Sequence, residues 1–217
     1  MKPLTVLAGL AVLGPALALA AEAITIAVIP KATSHEFWKS IHAGAVMAQR
    51  ELNAKDARVE IIWQGPLRED NRDQQIQVVE NFIGRRVNGI VLAPTDAKAL
   101  VSPVNTAARA KVPVVIIDSG LKSDQYVSFV ATDNYRGGVL AGEAMAKLLG
   151  GQGKVILLRY QTGSASTEER EAGFLDAIKK VPGLKILSSE QHGGATRELC
   201  YQAAQNILNR HGKEVNG

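Results

Sequence analysis

The sequence predicts an α/β protein with two lobes, each a parallel sheet flanked by helices, of which the second is incomplete. Short runs rich in valine, isoleucine and leucine alternate with longer segments in which apolar residues recur at helical spacing. Successive positions in the short runs are apolar, which is typical of strands covered by helices on both faces. The alternation is interrupted by the polar segment 121–125 and then restarts, which indicates a second Rossmann-like lobe.

The first predicted lobe covers residues 24–125. Its strands share a run of apolar, mostly branched residues and are expected at residues 24–30, 59–63, 88–93 and 112–118. Apolar side chains at helical spacing predict the intervening helices around residues 37–52, 76–83 and 98–110. Thr33 and Glu36 stand three residues apart just before the first helix, which is the spacing of a capping box.

The second predicted lobe covers residues 126–217. Its strands are expected at residues 127–131, 154–158 and 184–188, and its helices at residues 135–149, 168–180 and 197–210. Ser166 and Glu169 have the spacing of a second capping box. A doubly wound lobe ordinarily contains more strands than these, so we expect the sequence to be truncated at its C-terminal end.

The first residues predict a secretory signal peptide over residues 1–23. Lys2 supplies a positive charge, and the segment 4–21 is almost entirely apolar or small. The sequences ALA at 18–20 and AEA at 21–23 both offer a small-residue cleavage site. Pro15 interrupts the apolar run and no basic stop-transfer cluster follows it, which disfavours a membrane anchor. We therefore expect a periplasmic location.

Composition is that of an ordinary soluble globular protein, with 46% hydrophobic and 21% charged residues. The net charge is +4, but lysine and arginine are scattered along the chain, so we expect a solvated surface and no nucleic-acid partner. Cys200 is the only cysteine, which excludes a disulfide within the chain. Its place in the apolar pattern of the last helix predicts a core residue.

The expected ligand site lies beyond the carboxyl ends of the strands, where loops lead into helix N-termini. Polar and aromatic residues concentrate in such loops, at residues 31–38, 95–97, 118–120, 132–135 and 160–167. Adjacent helical residues point about 100° apart, so one of Phe37 and Trp38 faces the core while the other can present its ring to the cleft. Asp118 and Asp133 supply carboxylates for ligand hydroxyls, although Asp133 alternatively serves only as a helix N-cap. His35 is placed to donate or accept a hydrogen bond there.

Other chemistries are less well matched by the sequence. The glycines at 150–153 follow a helix and precede a strand, whereas a phosphate-binding loop follows a strand and opens a helix. The segment GSAST resembles a nucleophile elbow without its second glycine, so a serine hydrolase using Ser164 or Ser166 remains an alternative. His35 and His42 have no partner at metal-ligand spacing, so neither a metal nor a cofactor is predicted.

Several segments occur in an order that resembles a known family: EFW, VNGIVLAPTDAKAL, VPVVIIDSGL, FVATDNYRGG and GKVILLRYQTGSASTEEREAGF. Behind a signal peptide, this order is similar to periplasmic sugar-binding proteins of the ribose-binding type. These are type 1 periplasmic binding proteins, which share a fold with the effector domains of lactose-repressor-like regulators. The resemblance runs from Ile24 to the end of the chain. It implies a hinged, non-enzymatic, monomeric protein that closes on a sugar-like molecule and delivers it to an ABC permease.

The resemblance also implies which residues bind the ligand. Phe37 and Trp38 would stack on its ring, Asp118 would bind its hydroxyls, and Lys31 would reach it as in relatives that bind autoinducer-2 and rhamnose. The other residues that the resemblance places around the cleft are Ser119, Thr132, Asp133, Asn134, Ser166 and Arg170.

Three positions depart from the pattern of ribose binders. Ser119 and Glu168 stand where the resemblance leads us to expect arginines, and Ala93 stands in place of an asparagine. These changes remove polar and cationic contacts, so we expect a ligand other than ribose. A sensory binding protein that feeds a chemoreceptor or a histidine kinase is the alternative to a transport component.

Overall fold

The computed structural model describes residues 23–217, so the predicted signal peptide lies outside the described residues except for its last position. Apolar and polar segments alternate in this range as the sequence predicts, and they form a parallel α/β architecture. Within it, no helix is both long enough and apolar enough to cross a membrane.

The first lobe is a five-stranded parallel sheet with the strand order β2-β1-β3-β4-β5, the order of flavodoxin-like doubly wound folds. Its strands are β1 (Ile24–Ile29), β2 (Val59–Trp63), β3 (Gly89–Leu92), β4 (Val114–Ile117) and β5 (Ser128–Val130). The helices between them are α1 (Glu36–Asn53), α2 (Arg72–Gly84) and α3 (Val101–Arg109). Parallel strands place all their carboxyl ends on one edge of the sheet, which is where the predicted site loops meet.

The core of the first lobe forms between the sheet and its helices. Ile29, Leu92 and Ile116 from the central strands are fully buried and belong to one cluster with Phe82 of α2 and Val104 of α3. Burial of these side chains is the main favourable contribution to folding, at about 1.5–3 kcal/mol for each large apolar residue. The rigid sheet that results holds the loops at its carboxyl edge in place.

The second lobe consists of α4 (Asn134–Leu148), β6 (Gly153–Ile156), α5 (Ala165–Lys179), β7 (Leu184–Ser188) and α6 (Arg197–His211). β6 and β7 pair in parallel. Helices α4 and α5 approach each other unusually closely because glycines line their contact. A Cβ atom at Gly138 would lie 2.7 Å from the carbonyl carbon of Arg170, and one at Gly142 would lie 2.6 Å from Cβ of Ala177.

One predicted strand belongs to a different sheet from the one expected. The strand at residues 127–131 was assigned to the second lobe, but β5 pairs with β4 through Val115 opposite Ser128 and Ile117 opposite Val130. The polar segment 121–125 is therefore a connection within the first sheet. Ser123 holds this connection in place by donating a hydrogen bond to the Asn105 side chain of α3, at 2.8 Å. The boundary between residues 125 and 126 stays a prediction.

Three local predictions are also wrong. The N-cap of α1 is His35, and the Thr33 hydroxyl instead donates to the carbonyl of Pro66, so there is no capping box at that helix. The N-cap of α5 is Ser164, which places Ser166 inside the first turn. Cys200 is exposed, because it lies on the outward face of α6.

Candidate ligand-binding site

A cleft of about 240 Å³ lies between the carboxyl edge of the first sheet and the N-terminal end of α5. It collects residues from both lobes and from segments far apart in the sequence. The residues that line it are Lys31, His35, Phe37, Trp38, Glu69, Asp118, Tyr160, Ser166, Thr167 and Arg170. Most of the residues that the sequence analysis singled out are therefore brought together here.

Lys31 occupies the centre of the contact between the lobes. It lies two residues after the end of β1 and is only 3% exposed. Its Nζ atom lies 3.0 Å from Oδ2 of Asp118 and donates hydrogen bonds to the hydroxyls of Ser164, at 3.2 Å, and Ser166, at 3.1 Å. A buried ammonium is tolerated only when its charge and its donors are satisfied, and here both lobes contribute to that.

Asp118 reaches Lys31 through an unusual backbone conformation. Its φ angle is +63°, in the left-handed region that residues with a Cβ rarely adopt. A conformation of this kind persists only when its surroundings hold it, and it is most frequent at functional sites. The adjacent Ser119 is fully buried, and its Oγ atom accepts a hydrogen bond from the backbone N–H of Ser166, at 3.0 Å. Ser119 thus links the lobes instead of lining the cleft.

The two aromatic residues at the start of α1 divide their roles in the way their helical spacing predicts. Trp38 is buried, at 2% exposure, whereas Phe37 is 47% exposed at the cleft. Their rings meet edge to face with centroids 5.1 Å apart. His35 lines the cleft, and its Nδ1 atom also accepts a hydrogen bond from the backbone N–H of Phe37, at 3.1 Å. This cap fixes the start of α1, from which the Phe37 side chain projects.

Glu69 and Tyr160 form a second link between the lobes beside the aromatic pair. Oε1 of Glu69 accepts from the indole N–H of Trp38, at 2.7 Å, and Oε2 accepts from the Tyr160 hydroxyl, at 3.0 Å. Burial, together with the nearby Glu69 carboxylate, raises the pKa of Tyr160 well above its ordinary value. Tyr160 therefore stays a neutral hydroxyl that donates to Glu69 at physiological pH.

Segment 132–134, which connects β5 to α4, does not line the cleft. Asp133 caps α4 by accepting from the backbone N–H of Arg136, at 2.9 Å. Asn134 is buried and donates to the Thr132 carbonyl, at 3.0 Å, while its Oδ1 atom accepts from Nε of Arg170, at 2.8 Å. These contacts orient Arg170, which itself lines the cleft.

A further contact between the lobes lies beyond the cleft, next to Asp96. The backbone N–H of Ala97 donates to the carbonyl of Gly163 in the second lobe, at 2.9 Å. Burial alone would raise the pKa of Asp96, but hydrogen bonds from the N–H groups of Ala99 and Lys98, together with the Arg72 guanidinium, lower it below its ordinary value. Asp96 is thus held as a carboxylate at the base of this contact.

Three lining residues were missed in the sequence: Glu69, Tyr160 and Thr167. Tyr160 and Thr167 fall within a loop that was predicted to reach the site, but neither was singled out. Glu69 lies in the loop after β2, and the rule that ligands bind beyond the carboxyl ends of strands applies to that loop as well. The same rule therefore predicts that the loop containing Glu69 reaches the site.

The two serines of the hydrolase alternative are not arranged as a nucleophile with a neutral base. Ser164 and Ser166 are buried, and both hydroxyls accept hydrogen bonds from the Lys31 ammonium. That ammonium is itself paired with Asp118. A general base must instead accept the proton of the hydroxyl that it activates. Lys31, Asp118, Ser164 and Ser166 therefore form a network of polar contacts between the lobes.

A two-lobed α/β protein with a polar cleft at the carboxyl ends of its strands has the architecture of a small-molecule binding protein. The sequence matches the periplasmic binding protein domain family over residues 26–217, and the chain belongs to this family. Its predicted resemblance and fold class are thereby confirmed.

Proteins that are named for a sugar or solved with one bound are similar to this chain in sequence or in fold. The D-ribose/D-allose-binding protein of Pseudomonas aeruginosa is 33% identical over 192 residues, which cover 86% of this chain and 59% of that protein. A solute-binding protein of Agrobacterium vitis, solved with bound D-fucose, is 35% identical with a TM-score of 0.80, covering 89% of this chain and 66% of that one. A carbohydrate transporter solute-binding protein of Agrobacterium radiobacter, in complex with D-arabinose, is 31% identical with a TM-score of 0.82, covering 88% of this chain and 64% of that one. The chain spans about 60% of the length of the curated relatives it matches.

Proposed function

We propose that this chain is the ligand-capturing part of a periplasmic solute-binding protein that binds a neutral, monosaccharide-sized sugar between its lobes. The bound sugar is then delivered, chemically unchanged, to the permease of an ABC transporter by a monomeric binding protein. One observation carries the proposal: the cleft combines an exposed aromatic ring with a balanced set of two cationic and two anionic side chains. The charged residues are Lys31, Arg170, Glu69 and Asp118.

The balance of charge favours a neutral ligand. An anionic ligand would face Glu69 and Asp118, and a cationic ligand would face Lys31 and Arg170, each without a compensating excess of opposite charge. Neutral hydroxyl groups both donate and accept hydrogen bonds, so they can donate to Glu69 and Asp118 and accept from Arg170, while Lys31 keeps its three protein partners. Hydrogen bonds to charged groups are the stronger class, which suits a ligand made almost entirely of hydroxyls.

The size and the aromatic wall of the cleft favour a single sugar ring. Its volume of about 240 Å³ is smaller than the roughly 300–1,000 Å³ of pockets for drug-sized molecules. The face of Phe37 offers an apolar surface for the C–H groups on one side of the ring. Relatives in complex with D-arabinose and D-fucose support this class of ligand.

Hinge closure is the proposed mechanism of capture. Ligand contacts to both lobes stabilise the closed state, because the open state can offer only one set of them. The protein contacts that join the lobes, such as the one between Ser119 and Ser166, add to the same closed state.

The proposal is tested by titrating the chain with pentoses, hexoses, polyols and autoinducer-2, and with amino acids and nucleosides for comparison. We expect at least one carbohydrate to raise the melting temperature and to bind in calorimetry. Asp118→Asn should lose this binding, since it removes a carboxylate that lines the cleft and pairs with Lys31. Asp133→Asn is the matched control, because Asp133 does not line the cleft and asparagine caps helices equally well.

Two results would contradict the proposal. Stabilisation by an amino acid or a nucleoside, and by no carbohydrate, would show that the ligand class is wrong. Unchanged sugar affinity in Asp118→Asn would show that the ligand binds outside this cleft.

A further inference from the structure

Glu69 holds a position that no other carboxylate of the cleft shares. It lies in the segment between β2 and α2, and its side chain is partly buried. One of its oxygens is held by Trp38 of the first lobe, at 2.7 Å, and the other by Tyr160 of the second lobe, at 3.0 Å. The same side chain lines the cleft. A single carboxylate thus contacts both lobes and faces the ligand space.

Each oxygen of this carboxylate keeps acceptor capacity. A carboxylate oxygen has two lone pairs, and the Trp38 and Tyr160 donors use one on each oxygen. Trp38 and Tyr160 act as donors here, so they leave the negative charge in place. The remaining lone pairs suit ligand hydroxyl donors, with the added strength of a charged acceptor.

The contacts around Glu69 also fix its orientation before a ligand arrives. Its backbone carbonyl accepts from Nε2 of Gln161, at 3.3 Å. The backbone N–H of Tyr160 donates to Glu171, at 3.0 Å, and Glu171 is buried and paired with Arg159, at 3.1 Å. Because the residues that hold Glu69 are themselves held, little side-chain entropy is lost when it meets a ligand.

We propose that Glu69 determines which sugars bind, by accepting a hydrogen bond from one ring hydroxyl while Trp38 and Tyr160 hold it in place. This inference rests on the proposed function. Sugars that present a hydroxyl to Glu69 give the carboxylate a third hydrogen-bond donor, whereas sugars that lack it leave a partly buried charge without that donor. The latter kind of mismatch discriminates strongly between ligands.

The test measures affinity by calorimetry for the wild-type chain and for Glu69→Gln, using the best-binding sugar of the panel and its monodeoxy analogues. Glutamine has nearly the same shape, can still accept from Trp38 and can donate to the Tyr160 oxygen. The links between the lobes therefore persist, and the change falls on the ligand contact. We expect Glu69→Gln to bind the parent sugar roughly ten- to a hundredfold more weakly, the usual loss for a hydrogen bond to a charged group.

The decisive comparison is between ligands. For the one analogue that lacks the hydroxyl facing Glu69, the wild type and Glu69→Gln should bind with equal affinity. Gln161→Ala serves as the matched control: it removes the hydrogen bond to the backbone carbonyl of Glu69, a link between the lobes, and leaves the carboxylate with both of its donors. It should weaken the parent sugar and every analogue by a common factor.

Two outcomes would overturn the inference alone. These are unchanged affinity of Glu69→Gln for the parent sugar, or an equal loss for the parent and for every analogue, which would mean that Glu69 acts only through closure. A wild-type chain that binds none of the sugars would overturn the proposed function as well. Glu69→Asp, which keeps the charge and withdraws it by one methylene, gives the same comparison if the amide destabilises the fold.

Discussion

Two neighbouring glycines of α4 should respond to the same substitution in opposite directions. Gly137 and Gly138 are adjacent in one helix, but only Gly138 lies at the contact with α5. A Cβ atom at Gly138 would lie 2.7 Å from the carbonyl carbon of Arg170 and 2.9 Å from its Cα atom. A Cβ atom at Gly137 would have nothing within 4 Å. Alanine at position 138 must push the helices apart, whereas alanine at position 137 meets only solvent.

The magnitudes follow from packing and helix propensity. Carbon atoms prefer separations of about 3.5–4.0 Å, so the helices would have to separate by roughly 1 Å near residue 138. Overpacking of this kind costs about 1–3 kcal/mol, and the upper end applies because the obstacle is backbone that cannot rotate away. Replacing a helical glycine by alanine raises the free energy of unfolding by about 1 kcal/mol, because alanine has the higher helix propensity. We expect Gly138→Ala to lose about 2 kcal/mol of unfolding free energy and Gly137→Ala to gain about 1 kcal/mol.

Urea unfolding monitored by circular dichroism measures both variants against the wild type. The midpoints should move in opposite directions with similar slopes, since the surface exposed on unfolding is nearly unchanged. Equal stability of the two alanine variants, or a Gly138→Ala chain as stable as the wild type, would show that the close approach of α4 and α5 does not constrain the fold.

Two further predictions concern residues around the carboxyl edge of the first sheet. Gln75 is fully buried and donates to the carbonyls of Pro30 and Ala93. Gln75→Ala should therefore lower the free energy of unfolding by about 3 kcal/mol, because it leaves these carbonyls unpaired. Gln77→Ala, on the exposed face of α2, is the control and should change little in the same urea assay. For Asp96, the lowered pKa in the folded state means that its stabilising contribution is present above its ordinary pKa of 3.8 and is lost as the pH falls through the lower folded value. The stability difference between the wild type and Asp96→Asn should therefore be larger at pH 6 than at pH 3, and a difference independent of pH would contradict this assignment.

The alternation of strands and helices could be predicted because each element carries its own signal. β2 and β7 begin and end where the strands predicted at residues 59–63 and 184–188 begin and end. The sheet to which β5 belongs could not be predicted in the same way. β5 is short and exposed, and its pairing with β4 depends on a tertiary contact that periodicity does not encode.

The site shows a similar division. Helical geometry alone predicts that one of Phe37 and Trp38 turns inward, but it does not say which of them does. Glu69 stands in the polar sequence REDNRD, where every charge looks equally suited to solvent. Lysine is rarely buried, so the burial of Lys31 could not be predicted. Its place between the lobes depends on Asp118 and Ser164, which are more than 80 residues away in the sequence.

Segment 132–134 is where the described chain passes from the first sheet to the second lobe. Its side chains are engaged with the protein itself, through the α4 cap at Asp133 and the bond between Asn134 and Arg170. Under the proposed hinge closure, this segment is the joint between the lobes, and its hydrogen bonds contribute to the balance between the open and closed states. Because apparent affinity scales with the fraction of molecules in the binding-competent state, changes at the joint can tune affinity by shifting that fraction. Because Arg170 bonds to Asn134 and also lines the cleft, a substitution at Asn134 is expected to change both this population and the ligand contacts, whereas one at Asp133 is expected to change the population alone.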